Sequence, residues 1–164
     1  MKGGIGTAAI ALPDGLIVAA LVAVNAAGDV IDPSNGQVVA GARAADGDAF
    51  IDVRKALRTG GLRAPRAGEN TTLGVVATNA VLTRPQAKRM AMTAHDGFAR
   101  AIFPAHTMVD GDTIFALATG THKGTADLSR LDALAAIVTA DAILRAVREA
   151  TGVPGYPAVR DLKR

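Results

Sequence analysis

Cysteine and tryptophan are both absent from this 164-residue sequence, and aromatic residues make up only 3% of it. Without cysteine there are no disulfides, no thiol catalysis and no thiolate metal sites, which fits a reducing compartment. With so few rings, the core has to be built from Ala, Val, Leu and Ile, whose small side chains suit closely packed layers. Apolar residues form 49% of the chain. A chain of this length is expected to make one domain over residues 1–164, large enough to bury roughly two thirds of its unfolded surface.

Concentrated charge is also missing. The formal net charge is +3, and the basic residues are scattered through Arg54-Lys55, Arg63, Arg66, Arg84 and Lys88-Arg89. With one Tyr and four Phe available for base stacking, nucleic acid is not an expected partner. The apolar run from Leu16 to Val24 is too short to span a bilayer. Pro13-Asp14-Gly15 separates it from Lys2, so it reads as a strand after a turn rather than a signal peptide, and the chain is assigned to the cytoplasm without a membrane partner.

Met1 to Gly6 is glycine-rich, but no strand precedes these glycines, which argues against a dinucleotide-binding turn. The next residues, Ala8 to Leu12, read as a strand. Leu12-Pro13-Asp14-Gly15-Leu16 has β-turn chemistry, since Pro presets φ and Gly accepts positive φ, so the two flanking apolar runs are expected to pair as a hairpin. The second run ends in a polar tip, Asn25 to Asp29. Periodicity is poor from Ile31 to Asn70, which reads as a long loop with a short helix near Val53 to Leu57. So long a loop usually has a job, and cleavage would be one. Leu73 to Ala77 reads as a strand buried on both faces, and Thr113 to Thr119 as another buried strand. A helix is expected from Thr83-Arg84-Pro85-Gln86 to about Ile102, with Met90, Ala94, Phe98 and Ala101 on one face. A second is expected from about Leu128 to Ala150, with Leu131, Leu134, Ile137, Ala140, Leu144 and Val147 inward, stopped by Gly152 and Pro154.

Two stretches carry chemistry. In Glu69-Asn70-Thr71-Thr72-Leu73 a polar loop turns directly into the buried run, which places a threonine at a strand mouth. If the bond before Thr71 were cut, its free α-amine, with a pKa near about 7.7–8.0, would serve as a base beside its own hydroxyl. The same residues also suit an ordinary loop-to-strand junction. In Asp110-Gly111-Asp112 two acids lie two residues apart, so in an extended segment both project to one side and could orient an ammonium. A solvated turn is the plainer reading. His95, His106 and His122 lack metal-ligand spacing, with His95 on a helix face and the others in loops. Ser34 and Ser129 lack a nucleophile-elbow setting. Met90, Met92 and Met108 read as packing residues.

Four segments taken in order are more specific: Lys2-Gly3-Gly4-Ile5-Gly6-Thr7-Ala8, Val24-Asn25-Ala26-Ala27-Gly28-Asp29-Val30, residues 70–80 from Asn70 to Ala80, and Asp110-Gly111-Asp112-Thr113-Ile114-Phe115-Ala116-Leu117-Ala118-Thr119-Gly120. Together they resemble the L-aminopeptidase/D-esterase family, which includes β-aminopeptidases and nylon-oligomer hydrolases, and most closely its branch with threonine nucleophiles. The resemblance implies an α+β chain folded as a layered αββα sandwich, here a partial one of apolar strands covered by two long helices. It also implies self-cleavage between Asn70 and Thr71, so that residues 1–70 end one chain and 71–164 form the other. Thr71 is then the nucleophile, Asp110 and Asp112 the pair that positions its amine, and Lys2 a lysine near it. Asn25 matches an oxyanion-holding amide, a role worth about 3–4 kcal/mol. The implied function is hydrolysis of small peptides, amides or esters without a cofactor, in a homo-oligomer, with acyl transfer of the ornithine acetyltransferase kind as a variant. Family members carry a longer segment before the Lys-Gly-Gly motif, so the chain is expected to correspond to their back portion. A non-catalytic remnant or assembly module is the alternative.

Overall fold

The computed structural model describes residues 1–44, 49–60 and 70–162; Arg63, Arg66 and Glu69 lie outside them. The expected hairpin is present. β1 (Ile5–Ala11) and β2 (Ile17–Ala23) pair antiparallel with Ile5 opposite Ala23 and Ala11 opposite Ile17. Gly15 takes φ 84° in the turn, and its N–H donates to the Leu12 carbonyl.

β5 (Leu73–Thr78) pairs antiparallel with β2 and parallel with β7 (Thr113–Ala118), which gives a four-stranded sheet in the order β1-β2-β5-β7. The parallel pair is joined through α2 (Arg84–Ala101), which runs back across the sheet. Thr83 caps α2 in a capping box with Gln86, and Pro85 fills the first turn, where a missing N–H costs nothing. α3 (Leu128–Glu149) starts on Asp127, whose carboxylate accepts the N–H groups of Ser129 and Arg130.

Val18, Val22 and Val76 on the inner sheet face, with Met90, Ala94, Phe98 and Ala101 of α2, are completely buried. The small-residue composition lets the two helices touch closely. A Cβ on Gly97 of α2 would lie 2.5 Å from the Ala136 carbonyl of α3, so a larger residue there would push the helices apart. α3 is buried around more of its circumference than one stripe, with Ala135, Ala136, Val138 and Ala142 all inside. Ile137, expected inward, is instead exposed.

The chain is α+β and layered, as expected, but further sequence readings need correcting. β5 and β7 are buried on one face only, for Leu73 is 48% exposed and Phe115 63%. Both strands are apolar on both sides, yet α2 and α3 cover one side, which leaves Ile5, Leu21, Val75 and Leu117 on an open face. The stretch from Ile31 onward is less of a loop than its poor periodicity suggests. β3 (Asp29–Ile31), β4 (Val38–Ala40) and β6 (Ile102–Phe103) make a second sheet in the order β4-β3-β6, beside α2 and α3. α1 (Val53–Thr59) is the expected short helix. Strands of two and three residues are too short to show alternation, so periodicity could not find them. Finally, Met92 and Met108 are exposed, and only Met90 packs in the core.

Asp29, which the sequence suggests is part of a polar tip, is fully buried. Its carboxylate accepts the Val53 N–H at 2.7 Å and the Ala42 N–H at 3.3 Å, tying the loop before α1 to β3. Burial pushes its pKa above the ordinary carboxylate value, against the pull of those two N–H groups. A raised native pKa means that protonation favours the folded state, so this contribution is complete below the ordinary value and fades as pH rises through the raised one. Asp29→Ala should cost about 2–4 kcal/mol at neutral pH, because a buried N–H left unpaired costs about 1–3 kcal/mol and a small void is added. Urea midpoints against Asp141→Ala on the exposed face of α3 check this.

The open sheet face makes a second expectation. Contiguous apolar patches on monomers seldom exceed a few hundred Å², so the chain taken alone should bind an apolar-surface dye and self-associate. A monodisperse monomer by light scattering, with no dye binding, would show that this face is not the sticky surface its composition suggests.

Candidate active site

The sheet topology brings the four sequence segments to one place. β1 begins, β2 ends, and β5 and β7 begin at the same end of the sheet, with Ile5, Ala23, Leu73 and Thr113 in one row. The residues just beyond that row are Lys2 to Gly4, Val24-Asn25, Asn70 to Thr72 and Asp110 to Asp112. Parallel pairing of β5 and β7 matters most here, since it puts the approaches to both strands side by side.

The Asn70–Thr71 junction is held at several points. The Thr71 N–H donates to the Asn25 carbonyl at 2.9 Å. The Thr71 hydroxyl donates to the Asn70 carbonyl oxygen at 2.7 Å, and the Gly111 N–H donates to that same oxygen at 3.2 Å. Alternation turns the next residue the other way. Thr72 is fully buried, and its Oγ1 has no hydrogen-bond partner among the described residues. The two adjacent threonines are therefore distinct in surroundings.

Asp110 and Asp112 both lie beside this junction but hold different partners. Asp112 Oδ1 accepts the Thr72 N–H at 2.9 Å, and its side chain is only 6% exposed. Asp110 Oδ2 accepts the Thr107 hydroxyl at 2.6 Å and the Thr107 N–H at 3.2 Å. Neither carboxylate belongs to a solvated turn, because the parallel bridge between Asn70 and Asp110 folds this segment against the approach to β5.

Gly111 between them was read from sequence only as a spacer. A Cβ there would sit 2.7 Å from Thr71 Oγ1, so the absence of a side chain leaves room for the hydroxyl. The glycine between two acids was the available signal.

Lys2 and Asn25 line one cavity of about 210 Å³, together with Ala26, Gly28, Gly41 and Val147. Lys2 Nζ donates to the Gly3 carbonyl at 2.9 Å. Asn25 meets Thr71 through its backbone carbonyl, and its side chain is exposed. Behind the Asp pair is a ring cluster that sequence spacing did not reveal. His95 and Phe98 of α2 contact His106, with His95 and His106 centroids 4.9 Å apart. His95 is held below the ordinary histidine range by burial first and by His106 second, with Asp112 and Asp96 opposing. Among the described residues, no group of three or more His, Asp or Glu could hold a metal ion, and no helix is long and apolar enough to cross a membrane.

Comparison with known proteins bears on this geometry. The model of peptidase family S58 matches residues 1–160. The chain belongs to that family. It is 41% identical to an uncharacterized aminopeptidase of Mycobacterium leprae over 96% of this chain and 47% of the relative. It is 32% identical to a 6-aminohexanoate-oligomer endohydrolase of Kocuria sp., over 48% of this chain and 25% of that enzyme. Its fold is similar to that of the L-aminopeptidase D-Ala-esterase/amidase of Ochrobactrum anthropi, a variant of the Ntn hydrolase fold. There the TM-score is 0.61 at 23% identity, over 95% of this chain and 43% of the other. The S58 chain thus spans about half the length of the curated aminopeptidase it matches.

Proposed function

We propose that this S58 chain carries the nucleophile and the processing site of a self-cleaving N-terminal-threonine aminopeptidase or amide hydrolase. Its substrates are small peptides, amino amides or esters. The observation that carries the reading is the contact of the Thr71 hydroxyl with the Asn70 carbonyl oxygen at 2.7 Å, with the Gly111 N–H on the same oxygen. The hydroxyl lies beside the bond to be cut, and a donor is already aimed at the oxygen that would gain charge.

The chemistry then follows. Thr71 Oγ1 attacks the Asn70 carbonyl carbon and gives up its proton. The C–N bond breaks, the proton passes to the departing Thr71 nitrogen, and an ester remains. Water cleaves the ester to release the Asn70 carboxylate and regenerate the hydroxyl. Thr71 now has a free α-amine, already facing the Asn25 carbonyl that held its N–H. In turnover this amine takes the hydroxyl proton as Oγ1 attacks a substrate carbonyl, and water releases the acyl group. Asn25 supplies a side-chain amide to the oxyanion, and Lys2 a positive charge across the shared cavity. Asp110 and Asp112 fix the segment that bears the nucleophile.

The Ochrobactrum relative is a prototype for the serine aminopeptidases, whereas position 71 here is threonine. The added methyl restricts χ1 and so limits where the hydroxyl can point.

Hydrolysis of an amino-acid p-nitroanilide tests the reading, in a form that supplies the remaining length of the relatives. Asp112→Asn should lower kcat by about a hundredfold, the size expected when a misplaced reacting group loses its near-attack geometry. Because the Asp112 side chain is only 6% exposed, stability should also fall, by about 1–3 kcal/mol for the lost charge-assisted bond, and the assay belongs well below the variant's unfolding temperature. Unchanged kcat would remove Asp112 from the site.

A further inference from the structure

The turn that leads into the Asp110–Asp112 segment is tied by hydrogen bonds rather than by packing at its tip. It spans Thr107, Met108, Val109 and Asp110, and the Asp110 N–H donates to the Thr107 carbonyl at 3.2 Å. Met108 is completely exposed, so its side chain does nothing to fix the turn. The Asp110 carboxylate closes it. Oδ2 accepts the Thr107 hydroxyl at 2.6 Å and the Thr107 N–H at 3.2 Å, and a short bond to a charged acceptor is among the stronger kinds. Oδ1 is shielded from solvent and has no hydrogen-bond partner among the described residues. Thr107 therefore holds the carboxylate by one oxygen. The Gly111 N–H, which meets the Asn70 carbonyl oxygen at 3.2 Å, lies in the peptide plane that begins at Asp110 Cα. Whatever fixes Asp110 also aims that donor.

We infer that Thr107 is a positioning residue for cleavage of the Asn70–Thr71 bond. Its hydroxyl pins Asp110 Oδ2, the pinned carboxylate sets the turn, and the turn directs the Gly111 N–H at the Asn70 oxygen. Without the hydroxyl, the carboxylate keeps only the longer bond to the Thr107 N–H and is free to turn toward other donors. The Gly111 N–H then leaves the Asn70 oxygen part of the time. The effect on cleavage rests on the processing role proposed for Thr71, but the hold on the Gly111 N–H does not.

Thr107→Val removes the hydroxyl and keeps the β-branched shape, and Thr107→Ser keeps the hydroxyl. Both are made in a form extended to the length of the relatives. Hydrogen exchange of the Gly111 amide is followed by NMR with Thr71→Ala as the parent, and Val76 in β5 is the reference. Thr107→Val should speed exchange at Gly111 roughly tenfold, as expected for one lost hydrogen bond, and leave Val76 unchanged. Thr107→Ser should return Gly111 to the parent rate. With threonine at position 71, self-cleavage should slow by about ten- to a hundredfold in Thr107→Val and recover in Thr107→Ser. Unchanged Gly111 exchange in Thr107→Val overturns the inference. So does equal acceleration at Val76, which would make Thr107 a stability residue only, or a serine variant that behaves like valine. Cleavage as fast in Thr107→Val as in wild type overturns it too. A wild-type chain that never cuts would count against the self-processing reading alone, and Gly111 exchange would still decide whether Thr107 aims that N–H.

Discussion

Gly111→Ala should slow self-cleavage at the Asn70–Thr71 bond by about a hundredfold or more, with a much smaller effect on stability. The added Cβ would lie 2.7 Å from Thr71 Oγ1, closer than real contacts allow, so the hydroxyl or the Asp110–Asp112 segment has to move. A displacement near 1 Å at a reacting atom is worth about 10²-fold in rate. The same shift would draw the Gly111 N–H away from the Asn70 oxygen, now 3.2 Å distant, and weaken the donor that meets the developing negative charge. Gly111 itself is exposed, and exposed substitutions usually change stability by no more than about 0.5 kcal/mol. Rate constants from the timed appearance of fragments, set beside urea midpoints, separate the two effects. Equal losses in both would mean that glycine is needed for folding rather than for the geometry of the hydroxyl.

How much of this was legible in the sequence depends on the length over which a signal is repeated. The two long helices were readable because Met90, Ala94, Phe98 and Ala101 repeat at helical spacing, and because Thr83, Pro85 and Gln86 spell a start. The hairpin was readable from Pro13-Asp14-Gly15. The two- and three-residue strands at Asp29, Val38 and Ile102 carry no period to detect. One-sided burial of β5 was also hidden, since Leu73 and Val75 are as apolar as Val76 and nothing local tells which face is covered.

At the site, Asn70, Thr71, Asp110 and Asp112 came from motif order, and the structure brings their segments together through the parallel pairing of β5 and β7. The role of Gly111 depends on that contact between segments some forty residues apart. Asp29 was misread because a buried carboxylate and a polar loop tip look the same in one dimension. Its N–H partners at Ala42 and Val53 lie beyond any local pattern.

The central claim, that Thr71 cuts the bond before it, is tested most directly by intact-mass measurement after prolonged incubation. Three chains are compared, each alone and in a form extended to the length of the relatives: wild type, Thr71→Ala and Thr72→Val. Thr72→Val is a close control, since it replaces a fully buried hydroxyl that has no hydrogen-bond partner among the described residues by a methyl of similar size. The Thr72 side chain also lies on the other side of the strand from Thr71. Cut between Asn70 and Thr71, wild type and Thr72→Val should yield fragments 1–70 and 71–164, each longer by whatever residues the extended form adds to it, and Thr71→Ala should stay whole. Cleavage persisting in Thr71→Ala, or an extended wild-type chain that never cuts at Asn70, would contradict the assignment, and the second result would favour a non-catalytic assembly module.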